Sequence, residues 1–312
     1  MKKRRSILET LSNIGTVIGL LFRGAIFLFF LMFFLSFVLL FFNDGVTIKD
    51  GNIALIPING LISTTGTSLT EKGTPSQDIV EWIEDASRDD NFKAILLEIN
   101  SPGGTPVATQ EIADAIKEVD KPVYAYIRES GASGAYWIAS TADRVYSNPL
   151  AVTGSIGVTA SHLEFGGLLA DYNVTYRRLV AGKYKDLGSV FRDMTEEEQL
   201  LYQKKLDLLH EIFIKEVSVN RKMPEEKVRE LANGFVYFGT EAKELGLVDE
   251  IGGKKDALRG LERKLNITAK VYEYKQKPSI FNTFGVAVEK LGFSVGTGIG
   301  SQLNPQERIS LS

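Results

Sequence analysis

The chain contains no cysteine. That excludes a disulfide framework, a thiolate nucleophile and a cysteine-based metal site. Histidine is almost as scarce: His162 and His210 are the only two, so imidazole chemistry has few places to reside. Neither sign of charge dominates. A formal net charge of -3 over 312 residues supplies no basic surface for nucleic acid. No internal repeat stands out at a fixed period, which argues against a solenoid or propeller. What remains is ordinary globular material, 44% hydrophobic and 24% charged, with room for one large domain or two modest ones.

The amino terminus departs from this average. Gly24–Phe42 runs without a charge and with Ser36 as its single polar side chain. Its length is close to the roughly 20 residues that span a bilayer as a helix. Lys2, Lys3, Arg4, Arg5 and Arg23 precede it, against the lone acid Glu9. The positive-inside rule then predicts a basic cytoplasmic segment over 1–23, a transmembrane helix over 24–42, and the remainder on the extracytoplasmic side of the cell membrane. A cleaved signal peptide fits less well. The apolar run is long for an h-region, and Phe41-Phe42-Asn43-Asp44 is no small-residue cleavage site. A globular domain is expected over 46–275. Residues 276–312, rich in glycine from Gly285 to Gly300, read as a flexible carboxyl-terminal tail.

Within the domain, Asn52–Asn59 alternates as a strand does, and Gly60–Pro75 reads as a loop. Ser76–Ala86 places Ile79, Ile83 and Ala86 at helical spacing. Lys93–Ile99 is a short apolar run that ends in the turn Asn100–Gly104, which suits a buried strand. A helix over Val107–Val119, a strand over Pro122–Ile127, a short helix after Ser133 and a strand over Arg144–Ser147 follow. This alternation predicts an α/β fold of stacked βαβ units on a parallel sheet. Beyond it, Met194–Lys222 carries a long helical pattern. Pro224–Leu231 and Asp256–Leu265 read as helices, and Ile267–Tyr274 as a strand.

Two glycine-bearing turns lie between a strand and a helix: Ser101-Pro102-Gly103-Gly104 and Gly131-Ala132-Ser133-Gly134. A parallel sheet puts both at the carboxyl ends of its strands, where ligands bind. A serine among small residues at such a point has the setting of a nucleophile elbow, with backbone N–H groups able to hold an oxyanion. Taken alone, each turn is equally a plain tight turn, with Ser133 as a helix cap. A nucleophilic serine needs a base. His210 sits within a charged helix and reads as a helix-face residue. His162, Lys183 and Lys185 all remain candidates. A lysine serves only when neutral, which requires the reference pKa of about 10.4 to fall by roughly three units.

Read together, Asn100–Gly104 (NSPGG), Gly131–Ser140 (GASGAYWIAS), Thr153–Val158 (TGSIGV), Gly182–Asp186 (GKYKD) and Gly246–Gly252 (GLVDEIG) resemble the signal peptide peptidase SppA family in its short, membrane-anchored form. Five motifs in order, over roughly residues 50–260, carry the resemblance. It implies a Clp-protease/crotonase-like fold and a serine endopeptidase that hydrolyses remnant signal peptides and other hydrophobic peptides. It further implies Ser133 as nucleophile, Lys185 as general base, Ser155 as the hydroxyl that orients the lysine, and Gly103, Gly104 and Gly134 as the oxyanion hole. No metal or cofactor is implied. A homo-oligomeric ring is, often with the dyad built from two neighbouring subunits. One position departs from the pattern: Gly134-Ala135-Tyr136 stands where the family commonly has Gly-Gly-Tyr. A crotonase-like acyl-coenzyme A enzyme would need neither serine nor anchor. A related membrane protease that works with a stomatin-like partner, or a catalytically silent peptide-binding scaffold, are the competing readings.

Overall fold

The computed structural model describes residues 19–36, 49–65 and 73–275. It divides into two units, Met1–Lys49 and Asp50–Ser312. In the first, a helix α1 spans Gly19–Ser36, apolar and long enough to cross a membrane, with none of its surface buried. At 1.5 Å per residue it is about 27 Å long. The helix starts five residues before the expected span and runs through Arg23. Positions 37–42 of that span, and the tail at 276–312, lie outside the described residues.

The second unit is a mixed α/β domain on a sheet that is parallel at every pairing but one. Strands β1 (Ile53–Asn59), β4 (Ala94–Ser101), β5 (Val123–Ala132), β6 (Arg144–Ser147), β9 (Glu250–Ile251) and β10 (Val271–Glu273) are ordered β10-β1-β4-β5-β6-β9. Strand β7 (Val152–Gly154) pairs in parallel with the far end of β5, and β8 (Val236–Phe238) adds to it antiparallel. The segment read as a loop, Gly60–Pro75, holds two short paired strands, β2 (Leu61–Ser63) and β3 (Gly73–Pro75). Their three-residue length hid them from a pattern with a period of two.

Alternation on the strands sends side chains to both faces. On one face Ala54, Ile56 and Ile58 of β1 join Ile95, Leu97 and Ile99 of β4. Helices α2 (Ser76–Arg88), α3 (Pro106–Lys117), α4 (Gly134–Ser140) and α6 (Glu196–Arg221) cover them through Ile79, Ile83, Ile112, Ile116, Phe213 and Ile214. On the other face Ile53, Leu55, Leu96, Tyr124 and Tyr146 meet Ala257 and Leu261 of α9 (Lys254–Leu265). Burial on both faces is why the central strands read as unbroken apolar runs. The two remaining helices near the site are α5 (Gly166–Asp171) and α7 (Glu225–Leu231), and α8 (Gly239–Leu245) follows β8.

Strand β5 is longer than expected. Its apolar first half, Val123–Ile127, pairs with β4 and β6. Its second half, through Gly131 and Ala132, pairs with β7. Between Ile99↔Ile127 and Ser101↔Gly131 the register slips, with two more residues on β5 than on β4. The polar stretch Arg128–Ser130 concealed this continuation, which is held by backbone pairing rather than by an apolar face.

Candidate active site

Ser133 is the single residue between β5 and α4. Its backbone sits at φ 54° and ψ -128°, in a region that favours glycine. Such a conformation costs about 1–3 kcal/mol and persists only where the surroundings enforce it. Here they do. The Ser133 N–H donates to Gly154 O (2.8 Å), and Ser133 O accepts from Tyr136 N (2.9 Å) and Trp137 N (3.1 Å). Every residue of α4 is buried. The Tyr136 hydroxyl donates to Leu247 O at 2.8 Å, and Trp137 stacks on Phe213 of α6 at 5.1 Å between ring centroids.

The neighbouring glycines leave no room for a side chain. A Cβ at Gly104 would lie 1.8 Å from Ile62 O, and one at Gly134 would lie 2.3 Å from Thr109 Oγ1. At Gly103, where φ is +108°, it would come within 2.9 Å of the Ser133 Cβ. The three differ in what their N–H groups do. Gly103 N–H donates to Ser101 Oγ (3.1 Å), whereas the N–H groups of Gly104 and Gly134 have no hydrogen-bond partner among the described residues. Gly104, Ser133 and Gly134 line one cleft together.

Ser133 stands between two cavities of different character. One, of about 240 Å³, is walled by Val107, Trp137, Leu209, Ile212 and Phe213 and is apolar. The other, of about 360 Å³, presents Ser155, Gln203, Asp207, His210 and Asn233. Both take a wall from α6. Gln203, Asp207 and His210 follow i, i+4, i+7 spacing on one face, and Leu209, Ile212 and Phe213 follow i, i+3, i+4 on the next. That spacing was visible in the sequence. What hid His210 was the density of charge around it, which reads as a solvated helix. Instead its Nε2 is buried without a hydrogen-bond partner among the described residues.

Ser155 shares the polar cavity with Ser133. It too has a positive φ, of 50°. Its N–H donates to Phe235 O (2.8 Å) and its Oγ to Gly234 O (3.2 Å). His162 lines neither cavity. It is exposed and pairs with Glu164 at 3.0 Å.

Lys185 also lines neither cavity. Its exposed side chain projects from a run of turns over 183–188, where its N–H donates to Gly182 O at 3.1 Å. Charge fixes the flanks of this turn. Lys183 Nζ donates to both oxygens of Glu197 at 2.7 and 2.6 Å, and the Tyr184 hydroxyl donates to the same carboxylate. Arg178 grips Asp186 with two hydrogen bonds of 2.7 Å, and Arg192 reaches Asp186 at 3.2 Å. Arg192 also donates to both oxygens of Glu198. Glu198 belongs to a reciprocal cap with Thr195 at the start of α6. Hydrogen bonds from Arg178 and Arg192 hold the Asp186 carboxyl well below the usual carboxylate range. Arg192, aided by the Thr195 N–H, brings Glu198 down to about 2.

So the site brings together Ser133, Ser155, Gly104 and Gly134, with Gly103 packed directly behind the serine. Lys185 sits apart, on a turn whose flanking residues are tied to the first turn of α6. The α6 residues of the polar cavity, Gln203 to His210, lie about 9–20 Å farther along the helix axis from Glu197.

A strand-to-helix serine elbow beside free N–H groups and an apolar cleft is equipment for acyl transfer. Comparisons with known proteins place the chain among peptidases. The family model described as Peptidase family S49 matches residues 115–268. A putative protease of Methanocaldococcus jannaschii is 36% identical over 74% of this chain and 75% of its own. A putative signal peptide peptidase SppA of Enterococcus faecium is 33% identical over 84% and 78% respectively. Protease 4 of Haemophilus influenzae is 30% identical over 69% of this chain, which spans about a third (35%) of that longer protein. The chain belongs to peptidase family S49, the signal peptide peptidase SppA family, and is a peptidase.

Proposed function

We propose that the chain is a serine-type endopeptidase that hydrolyses hydrophobic peptides, remnant signal peptides among them, with Ser133 as nucleophile and Lys185 as general base. The observation that carries the reading is Ser133 itself. Its enforced positive φ holds it at the mouth of an apolar cleft, beside two unpartnered backbone N–H groups. Neutral Lys185 takes the Ser133 proton as the hydroxyl attacks the peptide carbonyl. The Gly104 and Gly134 N–H groups receive the oxyanion, and Gly103 keeps the turn close enough for them to do so. The protonated lysine gives its proton to the leaving amine. Water, deprotonated by the same lysine, then releases the acyl group from Ser133. Ser155 orients the lysine from within the polar cavity. The apolar walls at Trp137, Leu209 and Phe213 suit the side chains of hydrophobic peptides.

Lys185 serves the Ser133 of a neighbouring copy in a homo-oligomeric ring. The distance along α6 between the lysine turn and the serine cavity supports this. So does the exposed apolar surface of the same arm, where Leu163, Leu168, Tyr172 and Leu179 face solvent, the last 94% exposed. The domain takes the Clp-protease/crotonase-like arrangement that its motifs suggest. Helix α1 retains the chain in the cell membrane with residues 1–23 in the cytoplasm and the peptidase domain on the far side.

One observation favours a second reading of the base. His210 shares the Ser133 cavity and Lys185 does not. The test compares full-length parent, Ser133→Ala, Lys185→Ala and His210→Ala on a hydrophobic peptide. The first two should fall by about 10³-fold or more, with His210→Ala keeping most of its activity. Mixing Ser133→Ala chains with Lys185→Ala chains should restore activity, because some interfaces then pair an intact serine with an intact lysine. Retained activity in Lys185→Ala with loss in His210→Ala would make histidine the base.

A further inference from the structure

Resting on the reading of Lys185 as base, we infer that Asp186, gripped by Arg178 and Arg192, is a positioning residue that aims the lysine. The carboxylate next in sequence to the lysine is the most heavily bound carboxylate on the arm. Both of its oxygens are taken, one by Arg178 Nη2 and Arg192 Nη2 and the other by Arg178 Nε and Arg192 Nε. Arg178 also donates to Lys183 O at 2.8 Å, so the backbone on the other side of Lys185 is fixed by the same guanidinium. Arg192 then carries the turn onto Glu198, inside the cap of α6. The turn is therefore referenced to a 26-residue helix and not to its own packing.

Helix α5 buries no residue, and of residues 159–193 none is buried. Apart from the ring contact of Tyr176 with Phe191 at 5.7 Å, the arm has little packing within one copy to hold a side chain to within an ångström, and catalysis is sensitive to displacements of that size. A planar guanidinium bonded twice to a carboxylate supplies direction as well as attraction. The second tie, Glu197 to Lys183 and Tyr184, stops rotation about the first. Lys185 alone in this stretch is left with its ammonium unengaged among the described residues. The flanking side chains are fastened and the middle one is presented.

The test uses the full-length protein and four variants: Asp186→Asn, Asp186→Glu, Lys185→Ala and the double Lys185→Ala/Asp186→Asn. Hydrolysis of a hydrophobic peptide gives kcat and KM, and light scattering and thermal melting follow assembly and fold. Asp186→Asn should lower kcat by about tenfold or more with KM within about twofold, at unchanged particle size and Tm. Asp186→Glu, which keeps the charge, should return part of the loss. The double variant should be no slower than Lys185→Ala, because Asp186 acts only through the lysine. A parent-like kcat in Asp186→Asn overturns the inference. So does a loss that comes with altered particle size, or one that adds in full to that of Lys185→Ala. If Lys185→Ala itself keeps the parent rate, the base assignment has failed and the aiming role falls with it, an outcome told apart by that single variant.

Discussion

The two halves of the proposed dyad are built by opposite means. Ser133 is held by the interior. Its strand is paired on both sides, its helix is buried at every residue, and the glycines around it are packed to the limit of backbone contact. Lys185 is held by charge on an arm that buries almost nothing of itself. One half is therefore fixed by volume and backbone geometry, and the other by paired ionised groups. A nucleophile gains from rigidity in a fixed elbow. A base proposed to serve another copy gains from an element that can leave the core without unfolding it.

The sharpest way to break this contrast is at Gly104. With a Cβ 1.8 Å from Ile62 O, Gly104→Ala cannot be relieved by a rotamer and requires the backbone to move. The expected outcome exceeds the ~1–3 kcal/mol of ordinary overpacking, so that little folded protein is recovered and none is active. Soluble yield and circular dichroism check it. Recovery of a folded, active variant would show the elbow to be far looser than its contacts suggest.

Next in size is Phe213→Ala. It removes the ring stacked on Trp137 behind Ser133 and should cost about 3–5 kcal/mol of stability, read from denaturant unfolding, with activity falling in the fraction that stays folded. The Lys185 arm should be indifferent to that cavity, which hydrogen exchange of residues 178–192 would report.

Acid gives a smaller and more selective effect. The Glu198 carboxyl titrates near 2 in the folded chain against an ordinary value near 4.5, and Asp186 is depressed in the same direction. Groups with depressed folded pKa values contribute ordering in full above the unfolded value and lose it as pH falls through the folded one. Between about pH 4.5 and 2 the arm should lose exchange protection while amides of β5 and α4 keep theirs. Simultaneous loss in both would show that the two halves are held by the same means. The smallest effect is expected at Glu84. Its pairing with Arg88 on α2 is exposed and one turn apart, so Glu84→Ala should move Tm by no more than about a degree.

Much of the serine half was legible in the sequence. Lys93–Ile99 and Pro122–Ile127 announce buried strands by unbroken hydrophobicity, and Gly131–Gly134 announces the elbow by its small residues. What could not be read was the second half of β5. Ser130, Gly131 and Ala132 are placed there by pairing to β7, and the polar residues at 128–130 give no apolar signal of it. The division of labour among the three glycines was also hidden. Only the hydrogen bond from Gly103 to Ser101 separates it from Gly104 and Gly134. The lysine half was legible as a motif and illegible as structure. Arg178, Asp186, Arg192 and Glu198 lie up to 20 positions apart, and a network of surface charges has no periodicity to give it away.

The backbone of Ser133 has a further consequence, for how this protein can change. At φ 54° the serine costs folding energy that glycine would not. Ser133→Gly should therefore melt above Ser133→Ala, by about 1 kcal/mol after the entropy of the more flexible unfolded chain is counted. On the proposed role of Ser133, the position selects against its own nucleophile on grounds of stability. Turnover would then be what keeps a hydroxyl there, and a copy relieved of that demand would drift toward a sturdier protein that cuts nothing.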